Sequence, residues 1–214
     1  MFSQLTQCHD VIKKLECPDP AIKNVYMSRF AKTIEKVLLT YGDLIEADFI
    51  SFLNDENTVC RLMNNVQQTR VNLEKLFELM GGKDLDKTAI EVLNEIQERL
   101  NGYLDRLCLT TAEGLSDQIK VQVQEMAKLL HTKVKGNQPN QPLSQPSVME
   151  QIHQDSDLIV QPLMEYLENC ISQYADNCDK TILKRMLKEL WVVTLTNLEK
   201  TIVLPPMDAK KVSL

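Results

Sequence analysis

Histidine and cysteine side chains could hold a zinc ion, and a cysteine thiol could act as a nucleophile. The sequence of 214 residues has three histidines and six cysteines, and its closest cysteine pair, Cys170 and Cys178, is eight residues apart. Structural zinc sites usually take two of their ligands from a short segment such as C-x-x-C. The chain contains neither a C-x-x-C nor an H-E-x-x-H segment. The spacing therefore predicts no metal site.

One Glu-x-x-His segment, from Glu150 to His153, has the spacing of ligands in di-iron helical bundles. Those bundles need two such segments and two further carboxylates from other helices. Neither His9 nor His131 has a glutamate three residues before it. We therefore interpret Glu150 and His153 as part of a solvated first helical turn.

Motifs for nucleotide binding and acyl transfer are also missing from the sequence. Gly81-Gly82-Lys83 lacks the spacing of a phosphate-binding loop, which follows a strand and reads G-x-x-x-x-G-K-[ST]. A glycine pair directly after an apolar helical pattern is instead typical of a left-handed helix C-terminus. No G-x-S-x-G segment occurs. We predict that the protein is not an enzyme and that it has no catalytic residue and no cofactor.

Charged residues are unevenly distributed in the last third of the chain. No lysine or arginine occurs from Val148 to Asp179, and a cationic cluster then follows, namely Lys180, Lys184, Arg185 and Lys188. On a helix the three lysines lie within about 80° of one another and form a basic strip. One interpretation is a solvated face whose lysine stems lie along apolar neighbours such as Trp191. The other is a docking strip for an acidic helix or for anionic lipid head groups, which makes these four residues candidate partner-binding residues.

The composition indicates a folded, acidic, helical protein. Hydrophobic residues make up 43% of the chain and charged residues 25%, as in ordinary globular proteins. Six glycines and eight prolines allow few turns, so the elements must be long, which argues against an all-β sandwich or barrel. The formal net charge of -6 repels phosphate backbones, so we predict no nucleic-acid partner.

No segment predicts export or membrane insertion. Met1–Glu16 lacks the basic and apolar regions of a signal peptide. The longest apolar-rich stretch without a charge, Leu190–Leu198, is much shorter than the roughly 18 residues of a membrane span. The cysteines are dispersed and lie mostly at apolar-periodic positions, which is typical of free thiols in a reducing compartment. We therefore predict a cytoplasmic location.

Apolar residues recur at spacings of three and four along almost the whole chain, which predicts seven helices. Their predicted ranges are 3–15, 21–53, 58–80, 84 or 86 to 109, 115–134, 148–177 and 180–203. The segment 135–147 contains three prolines and no acidic residue, which predicts a flexible linker.

Long helices that are joined by short loops pack antiparallel. We therefore predict an all-α fold, built as an elongated stack of long antiparallel helices. The predicted domains are a first helical bundle at 1–134, the linker at 135–147, two long helices at 148–206 and an unstructured tail at 207–214.

Three blocks of sequence occur in an order that is typical of one protein family. The blocks comprise KLECPDP at 14–20 with YM at 26–27 and RFAKTI at 29–34, then LMNN at 62–65 with QQ at 67–68, LEK at 73–75 and MGGK at 80–83, and finally KT at 180–181 with LKR at 183–185, LKELW at 187–191 and IVLPP at 202–206. Over about residues 2–206 the chain thereby resembles a middle-to-late part of the MUN domain of the Munc-thirteen (uncoordinated-thirteen) synaptic vesicle priming family.

This resemblance implies a stack of helical bundles similar to subunits of vesicle-tethering complexes. It implies a protein-interaction module that acts in exocytosis and neurotransmitter release by promoting SNARE complex assembly. The implied partners are syntaxin, its Sec/Munc-type chaperone and, as a further candidate, synaptobrevin. The implied location is cytoplasmic and peripheral, at the plasma membrane and presynaptic release sites. The alternative is a structural helical scaffold that self-associates or completes a larger bundle without SNARE activity.

Overall fold

The computed structural model of the chain describes residues 1–14, 19–136 and 146–204. Within these ranges the chain forms seven α-helices and no strand, and the prediction of an all-α fold is confirmed. The helices are α1 Phe2–Lys14, α2 Pro20–Asp48, α3 Glu56–Met80, α4 Lys87–Gly114, α5 Ser116–Gly136, α6 Pro146–Asn177 and α7 Lys180–Leu198. A 3₁₀ turn continues α2 through Phe52, and a π-helical turn continues α7 through Val203.

Aspartate side chains cap the N-termini of three helices in the first half of the chain. The Asp19 carboxylate accepts a hydrogen bond from the Ala21 N–H at 2.8 Å, and Pro20 occupies the first helical position of α2. Asp55 caps α3 through the Thr58 N–H at 3.2 Å. Asp86 accepts from the Thr88 N–H at 3.1 Å at the start of α4. Each carboxylate satisfies a backbone N–H that has no partner inside its own helix.

The glycine pair after α3 forms the C-terminal cap that the sequence predicted. Gly81 has φ of 126° and Gly82 has φ of 55°, which are left-handed conformations that L side chains rarely adopt. The Gly81 N–H donates to the Glu78 carbonyl at 3.2 Å. The pair therefore ends α3 and leads into a short 3₁₀ turn, Gly82–Asp84.

A first compact unit comprises Met1–Thr110 together with Asn177–Ile182. In this unit α3 and α4 run antiparallel, since the Gln97 amide donates to the Arg70 carbonyl at 3.1 Å and the Cys108 thiol lies 3.9 Å from the sulfur of Met63. Helices α2 and α4 run in the same direction, as expected when three consecutive helices alternate. The largest fully buried side chains of the unit include Phe49, Ile34, Leu38, Met63, Leu73, Leu76, Leu93, Ile96, Leu100, Tyr103, Leu104 and Leu107.

Helices α2 and α4 approach each other closely at Gly42. The Tyr103 ring lies against this glycine, and the Tyr103 hydroxyl donates to the Asp43 carboxylate and to the Leu39 carbonyl at 3.4 Å. The Arg106 guanidinium lies 4.9 Å from the centre of the same ring and forms an ion pair with Glu46. A glycine that weakens an isolated helix by about 1 kcal/mol thus permits a close helix contact here.

A second compact unit comprises Thr111–Asp176 and the chain from Leu183 onward. Its core joins α5, α6 and α7 through Ile119, Val123, Leu163, Leu167 and Leu190. Two polar contacts accompany this core. Lys133 forms an ion pair with Asp155 at 2.7 Å, and Asn197 donates to the Ser116 hydroxyl at 3.2 Å. Helix α6 continues through Pro162.

The predicted domain division stays a prediction. Residues 137–145 of the predicted linker and all of the predicted tail 207–214 lie outside the described residues. The two units group the helices differently from the predicted domains, because α4, α6 and α7 each contribute residues to both units. No helix in the described part of the chain combines the length and the hydrophobicity that a bilayer crossing requires.

Candidate functional site

Helix α7 is held in place by its inner face. The Asp179 carboxylate accepts from the Thr181 N–H at 2.8 Å and caps the helix N-terminus. Met186, Leu190 and Thr194 follow at four-residue spacing and are buried in the second unit. The buried Thr194 hydroxyl donates to the Leu190 carbonyl at 2.8 Å, so this polar group is satisfied. The burial of these residues fixes which side of α7 is left in solvent.

The opposite side of α7 combines lysines with large apolar side chains. Five exposed residues of the second unit lie within about 100° of one another, and we call them the α7 outer face. They are Lys184, Leu187, Lys188, Trp191 and Leu195. The apolar members are 38% exposed at Leu187, 61% at Trp191 and 45% at Leu195. A tryptophan that is more than half exposed beside two lysines is unusual for a face that only contacts water.

The chemistry of the α7 outer face is that of a binding surface. Tryptophan is enriched among residues that dominate binding energy, because its large ring is amphipathic and loses little conformational entropy. Lysine side chains can lay their aliphatic stems along apolar neighbours and keep their ammonium groups in water. The face therefore offers an apolar centre with two positive charges at its N-terminal end.

The structure places the four predicted partner-binding residues in different surroundings. Lys184 and Lys188 belong to the α7 outer face and are exposed. Lys180 is exposed at the first position of α7 and belongs to the first unit. Arg185 lies about 100° around the helix from Lys184 and is half-buried. Partner binding by Lys180, Lys184, Arg185 and Lys188 stays a prediction.

The apolar half of the α7 outer face was not predicted from the sequence. The spacing placed Leu187 and Trp191 in the buried stripe of the helix, whereas both are exposed. One signal was present, because Leu190-Trp191-Val192-Val193 is a run of four consecutive apolar residues. Such a run covers every side of a helix, so part of it must face away from a one-sided core.

His153 and His9 differ in their surroundings. Glu150 and His153 are both exposed, in line with a solvated turn. His9 is buried beside Asp10, with 3.7 Å between its Nδ1 and the carboxylate. Across 1–14, 19–136 and 146–204, no group of three or more His, Cys, Asp or Glu side chains is placed to hold a metal ion.

A groove of about 580 Å³ lies between α3 and α4 in the first unit. Leu73 and Phe77 supply apolar lining, and Arg70 and Glu74 form an ion pair at 2.8 Å beside it. The Gln97 amide group donates to the Arg70 carbonyl, while its own oxygen is buried without a hydrogen-bond partner.

The family model described as MUN domain matches residues 1–214 of the chain. The match includes all seven helices and the α7 outer face.

Proposed function

The chain belongs to the MUN domain family of vesicle priming and exocytosis, and on that premise we propose that it is an interaction module that promotes SNARE complex assembly. In this proposal it engages syntaxin and the Sec/Munc-type chaperone of syntaxin, with synaptobrevin as a further partner. It acts in the cytoplasm, peripheral to the plasma membrane at presynaptic release sites. A surface rather than a reactive cavity performs this activity.

The observation that carries the proposal is the α7 outer face. Its exposed Trp191 and Leu195 supply an apolar strip on a helix whose other side is anchored in a core. Amphipathic helices dock on such surfaces through apolar anchors at spacings of three and four residues. SNARE motifs are amphipathic helices with charged flanks, so they fit this mode of binding.

Charge complementarity favours an acidic helix as the docked element. Lys184 and Lys188 are exposed one helical turn apart, and Lys180 lies one turn before them. Positive groups at the rim of an interface attract a negative partner and increase its association rate. The acidic flank of the docked helix then lies along these lysines, and its apolar stripe contacts Trp191.

The proposal is tested by binding purified SNARE helices to the wild-type chain and to a Lys180→Glu, Lys184→Glu, Lys188→Glu variant. An exposed ion pair contributes about 0.2–1 kcal/mol, and reversal of the charge replaces attraction with repulsion. We expect affinity to fall by roughly tenfold or more, which corresponds to about 1.4 kcal/mol. The loss should shrink at high salt, because salt screens exposed charges.

A matched control separates the strip from the overall charge. Lys120 and Lys128 are exposed on α5 of the second unit and are absent from the α7 outer face. Lys184→Glu with Lys188→Glu should weaken binding, whereas Lys120→Glu with Lys128→Glu changes the net charge equally and should leave binding near wild type. If both double variants weakened binding equally, or if neither changed it, a specific role of Lys184 and Lys188 in binding would be contradicted.

A second candidate function is a structural scaffold that self-associates. The exposed fractions of Trp191 at 61% and Val192 at 52% favour it, because exposed apolar patches mark interfaces of any kind. In this case the α7 outer face contacts a second copy of the chain or completes a larger bundle.

Light scattering over a range of protein concentrations distinguishes the two functions. A monomer that binds SNARE helices in a salt-dependent way supports the first function. A dimer that Trp191→Ser with Leu195→Ser converts to a monomer, and that does not bind SNARE helices, supports the second.

A further inference from the structure

Two cysteines that are far apart in the sequence meet in the first unit. Cys60 lies near the start of α3, and Cys178 lies in the short turn between α6 and α7. The side chains of Cys60 and Cys178 lie within hydrogen-bonding reach of each other. Cys60 is buried, whereas Cys178 is partly exposed. Both are free thiols in this structure.

The side chain of Asn64 holds the turn that carries Cys178. Asn64 follows Cys60 by one helical turn, so both side chains lie on the same face of α3. The Asn64 amide group donates to the Asn177 carbonyl at 2.7 Å, and the Asn64 side-chain oxygen accepts from the Asp179 N–H at 2.9 Å. These two bonds fix the backbone on each side of Cys178. We call these two hydrogen bonds the Asn64 clamp. They hold the turn so that Cys178 stays beside Cys60.

A cleft lies beside Cys60. The cleft has a volume of about 410 Å³ and is lined by Asn57, Cys60, Arg61 and Asn177, all of which belong to the first unit. A molecule the size of hydrogen peroxide fits into such a space. A buried thiol that lines an open cleft can thus react with a small oxidant without unfolding of the helix.

The hydrogen bond gives the two sulfurs different roles. Donation by Cys178 lowers the pKa of the Cys60 thiol, because it stabilises the thiolate. The same contact and burial raise the pKa of the Cys178 thiol. Cys60 also lines the cleft, so it is the sulfur that meets and attacks an oxidant, and Cys178 is the resolving thiol.

We propose that Cys60 and Cys178 form an oxidisable dithiol site that accepts a small peroxide and closes to an intramolecular disulfide. In the first step the Cys60 sulfur attacks one peroxide oxygen, the O–O bond breaks, and Cys60 becomes a sulfenic acid as water leaves. In the second step the Cys178 sulfur attacks the Cys60 sulfur, the S–O bond breaks and the S–S bond forms. The departing hydroxyl takes the Cys178 proton and leaves as water. The two thiols lose two electrons, which the peroxide gains.

The product would tie the turn before α7 covalently to α3. At present the Asn64 hydrogen bonds and the packing of the turn hold this contact. A disulfide would replace this noncovalent contact with a covalent bond, which a thiol reductant can break. This inference concerns the first unit and does not rest on the α7 outer face.

The test uses the full chain with hydrogen peroxide as the probe. After oxidation the remaining thiols are alkylated, the protein is digested without reduction, and the linked peptides are identified by mass spectrometry. We expect a peptide that joins Cys60 to Cys178, with the mass of the two segments less two hydrogen atoms, and its loss after addition of dithiothreitol.

Cysteine variants supply the controls. Cys60→Ser and Cys178→Ser should each abolish the linked peptide. Cys108→Ser should retain it, although this thiol is buried nearby on α4, and so should Cys8→Ser, which removes an exposed thiol. Recovery of Cys60 and Cys178 as alkylated thiols while Cys8 is oxidised would overturn the proposal. A predominant link from Cys60 to any other cysteine would overturn it as well.

The clamp has its own test. Asn64→Ala removes both hydrogen bonds to the turn, and we expect it to slow disulfide formation by about tenfold, since alignment of the reacting groups is lost. Asn64→Asp keeps the acceptor for the Asp179 N–H and should fall between the alanine variant and wild type. The circular dichroism spectrum confirms that each variant is folded. Wild-type rates in both folded variants would contradict the role of the clamp.

Discussion

Replacement of Gly42 by alanine should destabilise the protein, although alanine is the better helix former. An alanine in a helix is favoured over glycine by about 1 kcal/mol. At this position, however, the added Cβ would lie 2.5 Å from Cε2 and 2.7 Å from Cδ2 of Tyr103. Carbon atoms in favourable contact are about 3.5–4.0 Å apart, so the ring and the new methyl group must separate by about 1 Å.

The Tyr103 ring is poorly able to move away. Its hydroxyl is bonded to Asp43 and to the Leu39 carbonyl, and Arg106 stacks on its face. Overpacking of this kind costs about 1–3 kcal/mol, and a broken hydrogen bond adds about 1 kcal/mol. After subtraction of the propensity gain, we expect Gly42→Ala to lower the free energy of unfolding by about 1–3 kcal/mol. For a chain of this size Tm should then fall by roughly 2–12 °C.

Thermal and urea unfolding, followed by circular dichroism at 222 nm, measure this effect. The matched control is Gly102→Ala on α4, where the new Cβ meets only Nη1 of Arg106 at 3.2 Å. That group is the end of a flexible side chain, so Gly102→Ala should be neutral or stabilising. In a Tyr103→Leu background, Gly42→Ala should lose its penalty, because the ring atoms are gone. A higher Tm for Gly42→Ala in the wild-type background would refute the reasoning.

Two further predictions concern the first unit. Gly81→Ala should reduce the free energy of unfolding by about 1–3 kcal/mol, because the φ of 126° strains any L residue. An unchanged midpoint of urea unfolding would contradict the requirement for glycine at the end of α3. The pKa of Tyr103 is raised above the usual 10.0 by burial and by the Asp43 carboxylate. The unfolded chain therefore loses the Tyr103 proton first as pH rises above 10, so this contribution to stability is present below pH 10 and is lost above it. Tyr103→Phe should flatten the alkaline decline of Tm, and an identical pH profile in both proteins would argue against the shift.

The spacing of apolar residues was sufficient to predict the helices. Seven segments were predicted and seven helices are seen in the described residues, with most bounds agreeing to within a few residues. Two kinds of local signal explain this agreement, namely a stripe at spacings of three and four and the helix-ending pair Gly81-Gly82. Both depend on residues that are close in sequence, so they can be recognised before the helices pack.

The sequence was least informative about which side of an apolar helix is covered. Leu187 and Trp191 match the periodicity of a core, but their exposure depends on where α5 and α6 lie around α7. The partners of the acidic residues on α2 were also not predicted. Asp43 and Glu46 contact Tyr103 and Arg106 of α4, which lie about 60 residues further along the chain.

The helical character of this protein could be predicted from its sequence, because helix formation depends on neighbours within a turn or two, and the family resemblance depends on short blocks of sequence. Which residues of different helices meet could be seen only in the packed structure. Gly42 is a packing site because Tyr103 of α4 lies against it. Cys60 and Cys178 lie together because Asn64 of α3 is hydrogen-bonded to the turn after α6. Contacts between residues so far apart depend on the packing of whole helices, which no local pattern specifies.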